Sequence, residues 1–319
     1  MESVLITGGA GFIGSHIAEK LILQGKEVTV IDNFSAGNIK NLNFCIDSKI
    51  FHLIKDDLNK PTKLLNSLKN ISVVFHMAAD PEVRTGYENP EITYRENIQN
   101  TFCLLENIRK SNVDKIVFAS SSVVYGEPSV IPTPETYGPL LPISQYGGSK
   151  LACEALVSSY CNNYGIKGMI IRLANVIGAR STHGIIWDFI NKLKKNNKVL
   201  HYLGDGKQTK SYIHVSDCVD GFLFCLNNFS KKIQVFNLGN DDKIDVLSIA
   251  KIVCRNMYLK NTKLVSKGGT KDGRGWIGDV KQMQLDISKL RDLGWSPRLS
   301  SKKAVDLASN ELIRSGIIK

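Results

Sequence analysis

No stretch of this chain approaches the ~20 consecutive apolar residues that a membrane-spanning helix needs. The first residues lack a basic region followed by an apolar core and a cleavage site, and their apolar residues read as a strand. A cytoplasmic protein without membrane contact is expected. Cys-x-x-Cys pairs are also missing. The seven cysteines (45, 103, 153, 161, 218, 225, 254) are odd in number and scattered, most of them through apolar patterns. That suits reduced, buried thiols and argues against a disulfide framework or a zinc site, so no metal is expected. Internal repeats and low-complexity tracts are absent as well.

Acidic residues are the scarcer charge: 30 Asp and Glu against 41 Lys and Arg leave a net charge of +11. Lysines cluster at 192, 194, 195 and 198, at 231 and 232, and at 302 and 303. These clusters carry no interleaved aromatics and belong to no recognisable nucleic-acid module, so no nucleic-acid partner is expected. Solvated faces produce the same count, and an anionic small substrate explains the excess more simply. With 319 residues, 43% hydrophobic and 22% charged, the chain can bury a full core in one large or two modest domains.

The chain opens with a short apolar strand, Glu2 to Thr7, running into Gly8-Gly9-Ala10-Gly11-Phe12-Ile13-Gly14 and a helical pattern from Ser15 to Gln24. Strand, Gly-x-x-Gly-x-x-Gly and helix together make a dinucleotide fingerprint. Gly8 permits the tight turn, Gly11 the approach of a pyrophosphate, and Gly14 close packing of helix on strand. The next strand, Glu27 to Ile31, ends in Asp32, which can accept from a ribose 2′-hydroxyl and would repel a 2′-phosphate. NAD is therefore expected rather than NADP. The same rhythm continues through strands Ile50 to Ile54, Val73 to Phe75 and Lys115 to Ala119, with a long helix from about Pro90 to Lys110. Alternating strands and helices predict a doubly wound parallel sheet. Ligands of such sheets sit at the carboxyl ends of the strands. At those ends stand the glycine loop, Asp32, Asp57, Ala78-Ala79 and Ser120-Ser121-Ser122.

Tyr146 and Lys150 lie four residues apart at the start of a helix, so their side chains are neighbours. The spacing alone is common on helices. A fixed ammonium favours the phenolate, so Lys150 is expected to lower the tyrosine's ordinary value near ~10. The buried face of this helix is expected at Leu151, Ala152, Ala155, Leu156 and Tyr160. Ser121 can bridge a sugar hydroxyl and the tyrosine, or satisfy its own turn.

Thr7 to His16, Asp32-Asn33, His76 to Ala79, Ser120 to Gly126 and Tyr146 to Lys150 together resemble the extended short-chain dehydrogenase/reductase family, over nearly the whole chain and in the right order. Within it the chain most resembles UDP-glucose 4-epimerases. The resemblance implies Ser121, Tyr146 and Lys150 as the catalytic triad. It places Gly8, Gly11, Phe12, Ile13, Gly14, Asp32, Asn33, Asp57, Leu58, Ala78 and Asn97, with Tyr146 and Lys150, near NAD. It also implies a homodimer, formed through helices near Pro90 to Lys110 and Tyr146 to Tyr164.

For the substrate, a UDP-sugar, the resemblance implies contacts from Ser121, Tyr146, Asn175, His183, His201, Leu203, Lys210, Tyr212, Arg274 and Asp279. Lys210-Ser211 stand where the family usually has Arg-Asp, and a lysine is a point charge rather than a fork. Residues 1–174 would form the NAD-binding Rossmann domain, with 211–238 returning to it. Residues 175–210 and 239–319 would form a smaller, discontinuous C-terminal substrate lobe of this α/β fold. Helices are expected over 285–293 and 300–317.

The family's dehydratases carry Asp-Glu directly after the triad serine or threonine, where this chain has Ser122 and Val123. That favours epimerisation of UDP-glucose and UDP-galactose at C4. The alternatives are UDP-glucuronate, whose carboxylate Arg84 or Arg180 would meet, UDP-N-acetylglucosamine, and an NAD-sensing protein without catalysis.

Overall fold

A computed structural model of the chain describes residues 3–271, 273–276 and 278–316, with backbone alone at residues 84 and 85. The chain divides into two compact units, residues 1–126, 138–172 and 222–236, and residues 127–137, 173–221 and 237–319.

Seven parallel strands organise the first unit: β1 (Ser3–Thr7), β2 (Glu27–Asp32), β3 (Phe51–Lys55), β4 (Val73–His76), β5 (Lys115–Ser121), β6 (Lys167–Leu173) and β7 (Ile233–Leu238). Their order is β7-β6-β5-β4-β1-β2-β3. The order reverses at β1, which has β2 on one side and β4 on the other. That is where an open α/β sheet leaves a crevice at its strand ends. All five residues of β1 are buried, which is why it reads as a continuous apolar run rather than an alternating one. The register sets Thr7 beside both Ile31 and His76, and Asp32 beside Lys55, so the carboxyl ends lie level.

Helix α1 (Phe12–Leu23) follows β1, and α2 (Asn100–Ile108) is continuous with a short helix, Pro90–Thr93, through a π-helical turn at Tyr94–Gln99. The expected long helix over 90–110 is thus present but widened at Asn97, a distortion that often marks functional positions. Helix α3 (Gln145–Tyr164) begins with Ser144, whose hydroxyl accepts from Gly147 N–H at 3.0 Å, and ends at Gly165 with φ 76°. A glycine adopts that left-handed stop without strain.

The buried stripe of α3 differs from the expected one. Gly147, Lys150, Glu154, Val157 and Cys161 are buried at helical spacing, whereas Ala155 is exposed. Apolar periodicity missed it because two of its members carry charge.

In the second unit, helices α4 (Ile185–Lys195), α6 (Val246–Asn256) and α7 (Ser301–Arg314) bury Phe189, Ile190, Ile249, Val253, Val305 and Ala308 in one core; α5 (Val215–Asn227) leads back toward β7. Short strands fill the rest. Asn175–Ile177 pairs parallel with Tyr212–His214, and Thr209–Lys210 lies between Ile244–Asp245 and Gln282–Met283.

The observed units depart from the expected boundaries at residues 127–137 and 211–221, and by two residues each at 173–174 and 237–238. Residues 127–137 join the second unit because Thr133 donates to Gln284 O and accepts from Asp286 N, each at 2.9 Å. Residues 211–221 join it through the pairing of Tyr212–His214. The expected helix at 285–293 is shorter, Ser288–Asp292, because Leu285 bridges Thr133 instead. The expected strand start at Glu2 and helix end at Ile317 lie outside the described residues.

None of the seven cysteines forms a disulfide, and six of them are buried. Among the described residues no helix is long and apolar enough to cross a membrane, and no cluster of side chains is suited to a metal ion.

Replacing the Ser144 cap leaves a helical N–H unsatisfied. Ser144→Ala is expected to cost about 1 kcal/mol of stability, read as a lower urea midpoint with unchanged slope.

Candidate active site

The loop after β1 is shaped by what its glycines leave out. A Cβ on Gly8 (φ 65°) would stand 2.7 Å from the Ala78 backbone, and one on Gly14 would stand 2.5 Å from the Gly8 carbonyl. Helix α1 starts after Gly11 with no side-chain cap, and Phe12 and Ile13 begin it. Its first N–H groups and dipole therefore suit an anion. Asp32 is buried, its carboxylate accepting from Ala10 N and Phe34 N at 2.8 Å each. Burial nevertheless holds its acid value above the ordinary one.

Asn33 and Asp57 turn their side chains onto the backbone two residues on, and Leu58 is buried. Asn59, which the sequence reading passed over, has both amide atoms buried with no hydrogen-bond partner. A buried, unspent amide beside a strand end is what a polar ligand group would satisfy. The glycine cradle, the uncapped helix start, Asp32 and Asn59 fit an adenine dinucleotide with free ribose hydroxyls.

Asn97 is buried and spends its amide on the protein. It accepts from Asp80 N at 2.8 Å and donates to Asp80 O and to Ser149 Oγ, so its amide ties the loop after β4 to α3. The π turn exists to aim this buried side chain inward. Behind it, His76 meets Thr7 Oγ1 at 2.7 Å and Thr101 Oγ1 at 2.9 Å. Burial, then the Lys150 charge, pushes His76 down to about 3, so it is neutral near pH 7.

The structure brings Ser121, Tyr146 and Lys150 together. Ser121 caps the turn Ser122–Tyr125 by accepting from Val123 N at 3.4 Å, and its hydroxyl also hydrogen-bonds Tyr146. The serine thus satisfies its own turn and reaches the tyrosine at once. Lys150 Nζ donates to Ala119 O at 2.8 Å and lies 5.8 Å from the centre of the Tyr146 ring.

The expected effect of Lys150 on Tyr146 is overturned. Burial first, then the charge of Asp80, raises the phenol above its ordinary value, against the lowering by Ser121. Lys150 itself is pulled down to about 8 by burial. Near pH 7 Tyr146 is therefore a phenol, and Lys150 is an ammonium closer to losing its proton than an ordinary lysine.

In the second unit, Lys210 Nζ reaches Asp279 Oδ1 at 2.6 Å, and Arg274 Nη1 donates to Asp279 O at 3.3 Å. Arg274 Nη2 also pairs with Glu127 at 2.5 Å, a partner that the sequence reading did not name. Tyr212 is buried, its phenol pushed up by burial and then by the Asp279 charge. Asn175 donates to Ser211 O at 3.2 Å, next to Lys210. Leu203 is half-buried, while His183 and His201 are exposed and share no described hydrogen bond or ion pair with this group. Arg180 adopts φ 68°, and the side chain of Arg84 lies outside the described residues.

The comparisons with known proteins agree with this geometry. A model of the NAD dependent epimerase/dehydratase family matches residues 4–239. A putative UDP-glucose 4-epimerase of Methanocaldococcus jannaschii is 35% identical over 312 residues, 96% of this chain and 97% of that protein. A solved UDP-galactose 4-epimerase matches with TM-score 0.86 and 39% identity over 98% of this chain and 99% of its own. A UDP-glucuronic acid 4-epimerase from Bacillus cereus, solved with UDP-glucuronic acid and NAD, matches with TM-score 0.89 and 29% identity at the same coverage.

If the Lys150 charge is needed, kcat/KM for a sugar nucleotide should fall as pH rises through about 8. The ammonium is present below that value and lost above it, and kcat/KM reports the free protein. A profile flat from pH 7 to beyond pH 9 would remove Lys150 from the mechanism.

Proposed function

The chain belongs to the NAD-dependent epimerase/dehydratase family, with NAD as cofactor, and on that premise we propose that it interconverts UDP-glucose and UDP-galactose at C4. One observation carries the reading: Ser121, Tyr146 and Lys150 stand together, while the positions after Ser121 are the buried Ser122 and the apolar Val123. No acid–base pair follows the serine to eliminate water at C5 and C6. Asp80, the carboxylate that acts on Tyr146, spends Oδ1 on Glu82 N–H at 2.9 Å. A ketone formed at C4 then has one productive course, reduction back to an alcohol.

NAD, when held by the glycine loop, would supply the redox chemistry by which C4 loses a hydride and regains it. Tyr146, once its own proton has left to solvent, acts as the phenolate and takes the proton of the 4-hydroxyl as the C4–H bond breaks, and Ser121 holds the sugar oxygen between them. The C4 ketone turns about its diphosphate tether and presents its other face. Tyr146 then returns the proton to the ketone oxygen, so atoms and electrons balance and only the configuration changes. A phenol above its ordinary value gives a strongly basic phenolate for the first transfer, and the Lys150 ammonium beside the ring favours its ionisation. Arg274, Lys210 and Asp279 hold the diphosphate and the uridine ribose, with Arg274 exchanging Glu127 for phosphate.

The sugar is set by the C6 substituent and C2. A C6 carboxylate would need a cation in reach, and its C4 ketone would be a β-keto acid prone to lose carbon dioxide. A CH2OH group avoids both. A panel of UDP-glucose, UDP-N-acetylglucosamine and UDP-glucuronate tests this, with UDP-galactose expected as the main product. Preferred turnover of the acid or the acetamido sugar would overturn the assignment. Tyr146→Phe should lower turnover of UDP-galactose by about 100-fold or more, and near-wild-type activity would sink the mechanism.

Association of two copies through the Pro90–Ile108 segment and α3 completes the proposal. Tyr94, Phe102 and Tyr164 are exposed there, Phe102 by 46%. Phe102→Glu should shift the sedimentation coefficient from dimer to monomer, and an unchanged value would place the contact elsewhere.

A further inference from the structure

A buried ion pair lies one turn beyond Lys150 and has no part in the chemistry above. Glu154 on α3 receives Arg172 of β6 fork on fork, Nε on Oε1 at 3.0 Å and Nη2 on Oε2 at 2.7 Å. Oε1 also accepts from Ser120 Oγ at 2.5 Å. Arg172 Nη1 donates to the Tyr125 hydroxyl at 3.0 Å, and the guanidinium lies 4.7 Å over the Tyr125 ring. All four side chains are buried.

The positions of the four residues give the network its meaning. Ser120 precedes Ser121, and Tyr125 ends the turn that Ser121 caps. Glu154 follows Tyr146 by two turns on the same face of α3. The network therefore grips the Ser121 segment at both ends and fastens it to the helix that carries Tyr146 and Lys150. Stability does not require charges here, since an apolar pair of similar volume commonly does as well in a core. An apolar pair would supply neither fixed hydrogen-bond directions nor a charge.

We propose that Glu154 and Arg172 are positioning residues of the reaction centre: they hold Ser121 against Tyr146 and keep a carboxylate one helical turn from Lys150, so that Lys150 stays an ammonium where it is buried. This rests on the reaction proposed above.

The groups facing Lys150 leave Glu154 as the standing negative charge. On α3 they are Tyr146, Cys153 and Glu154, on β5 the Ala119 carbonyl and the Phe118 ring, and on β4 the neutral His76. Burial raises Tyr146 and Cys153, which keeps both protonated near pH 7. Burial lowers Lys150, and Cys153, followed by Glu154, opposes that; with the Cys153 thiol protonated near pH 7, the carboxylate is the charge that remains.

Glu154→Gln alone strands a buried guanidinium and can unfold the protein, so the test pairs it with Arg172→Met. In the folded double variant the Lys150 titration, followed by NMR at its Cε and identified by its loss in Lys150→Met, should move down by about one pH unit. Turnover of UDP-galactose should fall about tenfold, with KM within about twofold. A milder variant, Ser120→Ala with Tyr125→Phe, keeps the ion pair and cuts its ties to the loop. It should lower kcat with KM and the Lys150 titration unchanged. Folded variants with wild-type titration and kcat overturn the proposal. If wild-type protein turns over no UDP-sugar, the reaction fails by itself, and the Lys150 shift still shows whether Glu154 sets its charge.

Discussion

The first unit depends on keeping a lysine charged inside a protein. Lys150 lies in the buried stripe of α3, its ammonium on the Ala119 carbonyl and 4.9 Å from the centre of the Phe118 ring. Removing an ammonium from water is costly unless hydrogen bonds and opposite charge replace the solvent. That requirement explains much of the surroundings. The carbonyl end of β5 must face α3, a carboxylate must sit one turn away, and the carboxylate must itself be held. Glu154, Arg172, Ser120 and Tyr125 meet those demands in turn. A charge this hard to bury is also easy to neutralise, which is what an acid–base centre uses.

The same economy runs through the NAD side. Asn97, Ser149, Thr7, His76 and Thr101 form buried hydrogen bonds that touch no solvent and join the glycine loop and the loop after β4 to α3. Each is a side chain whose polarity would be a liability without its partner. His76 is the clearest case: it is a hydrogen-bonding strut, and burial removes it as a titrating group near neutral pH. In the second unit charge is arranged for exchange instead. Lys210 and Arg274 are paired with Asp279 and Glu127, and in the proposed reaction a diphosphate would take the place of a carboxylate.

Local signals carried the fold well. The glycine spacing, the acidic end of β2 and the strand–helix alternation depend on residues close in sequence, and their geometry follows from backbone sterics. The sheet, its switch point at β1 and the Ser121–Tyr146–Lys150 assembly were therefore legible. The buried face of α3 was not, because apolar periodicity cannot register Lys150 and Glu154 as buried. The placement of residues 127–137 was equally hidden, since it rests on backbone pairing across about 150 residues of chain to Gln284 and Asp286.

The sequence by itself determined which groups are present: a glycine-rich turn after β1, a carboxylate at the end of β2, a serine, a tyrosine and a lysine. Only the tertiary structure decided their state. Burial raised Tyr146 where proximity to Lys150 alone predicted a fall, and packing made Glu154 and Arg172 neighbours from separate elements. The physical reason is that identity and spacing are properties of the chain, whereas desolvation depends on everything that surrounds a group once the chain has folded.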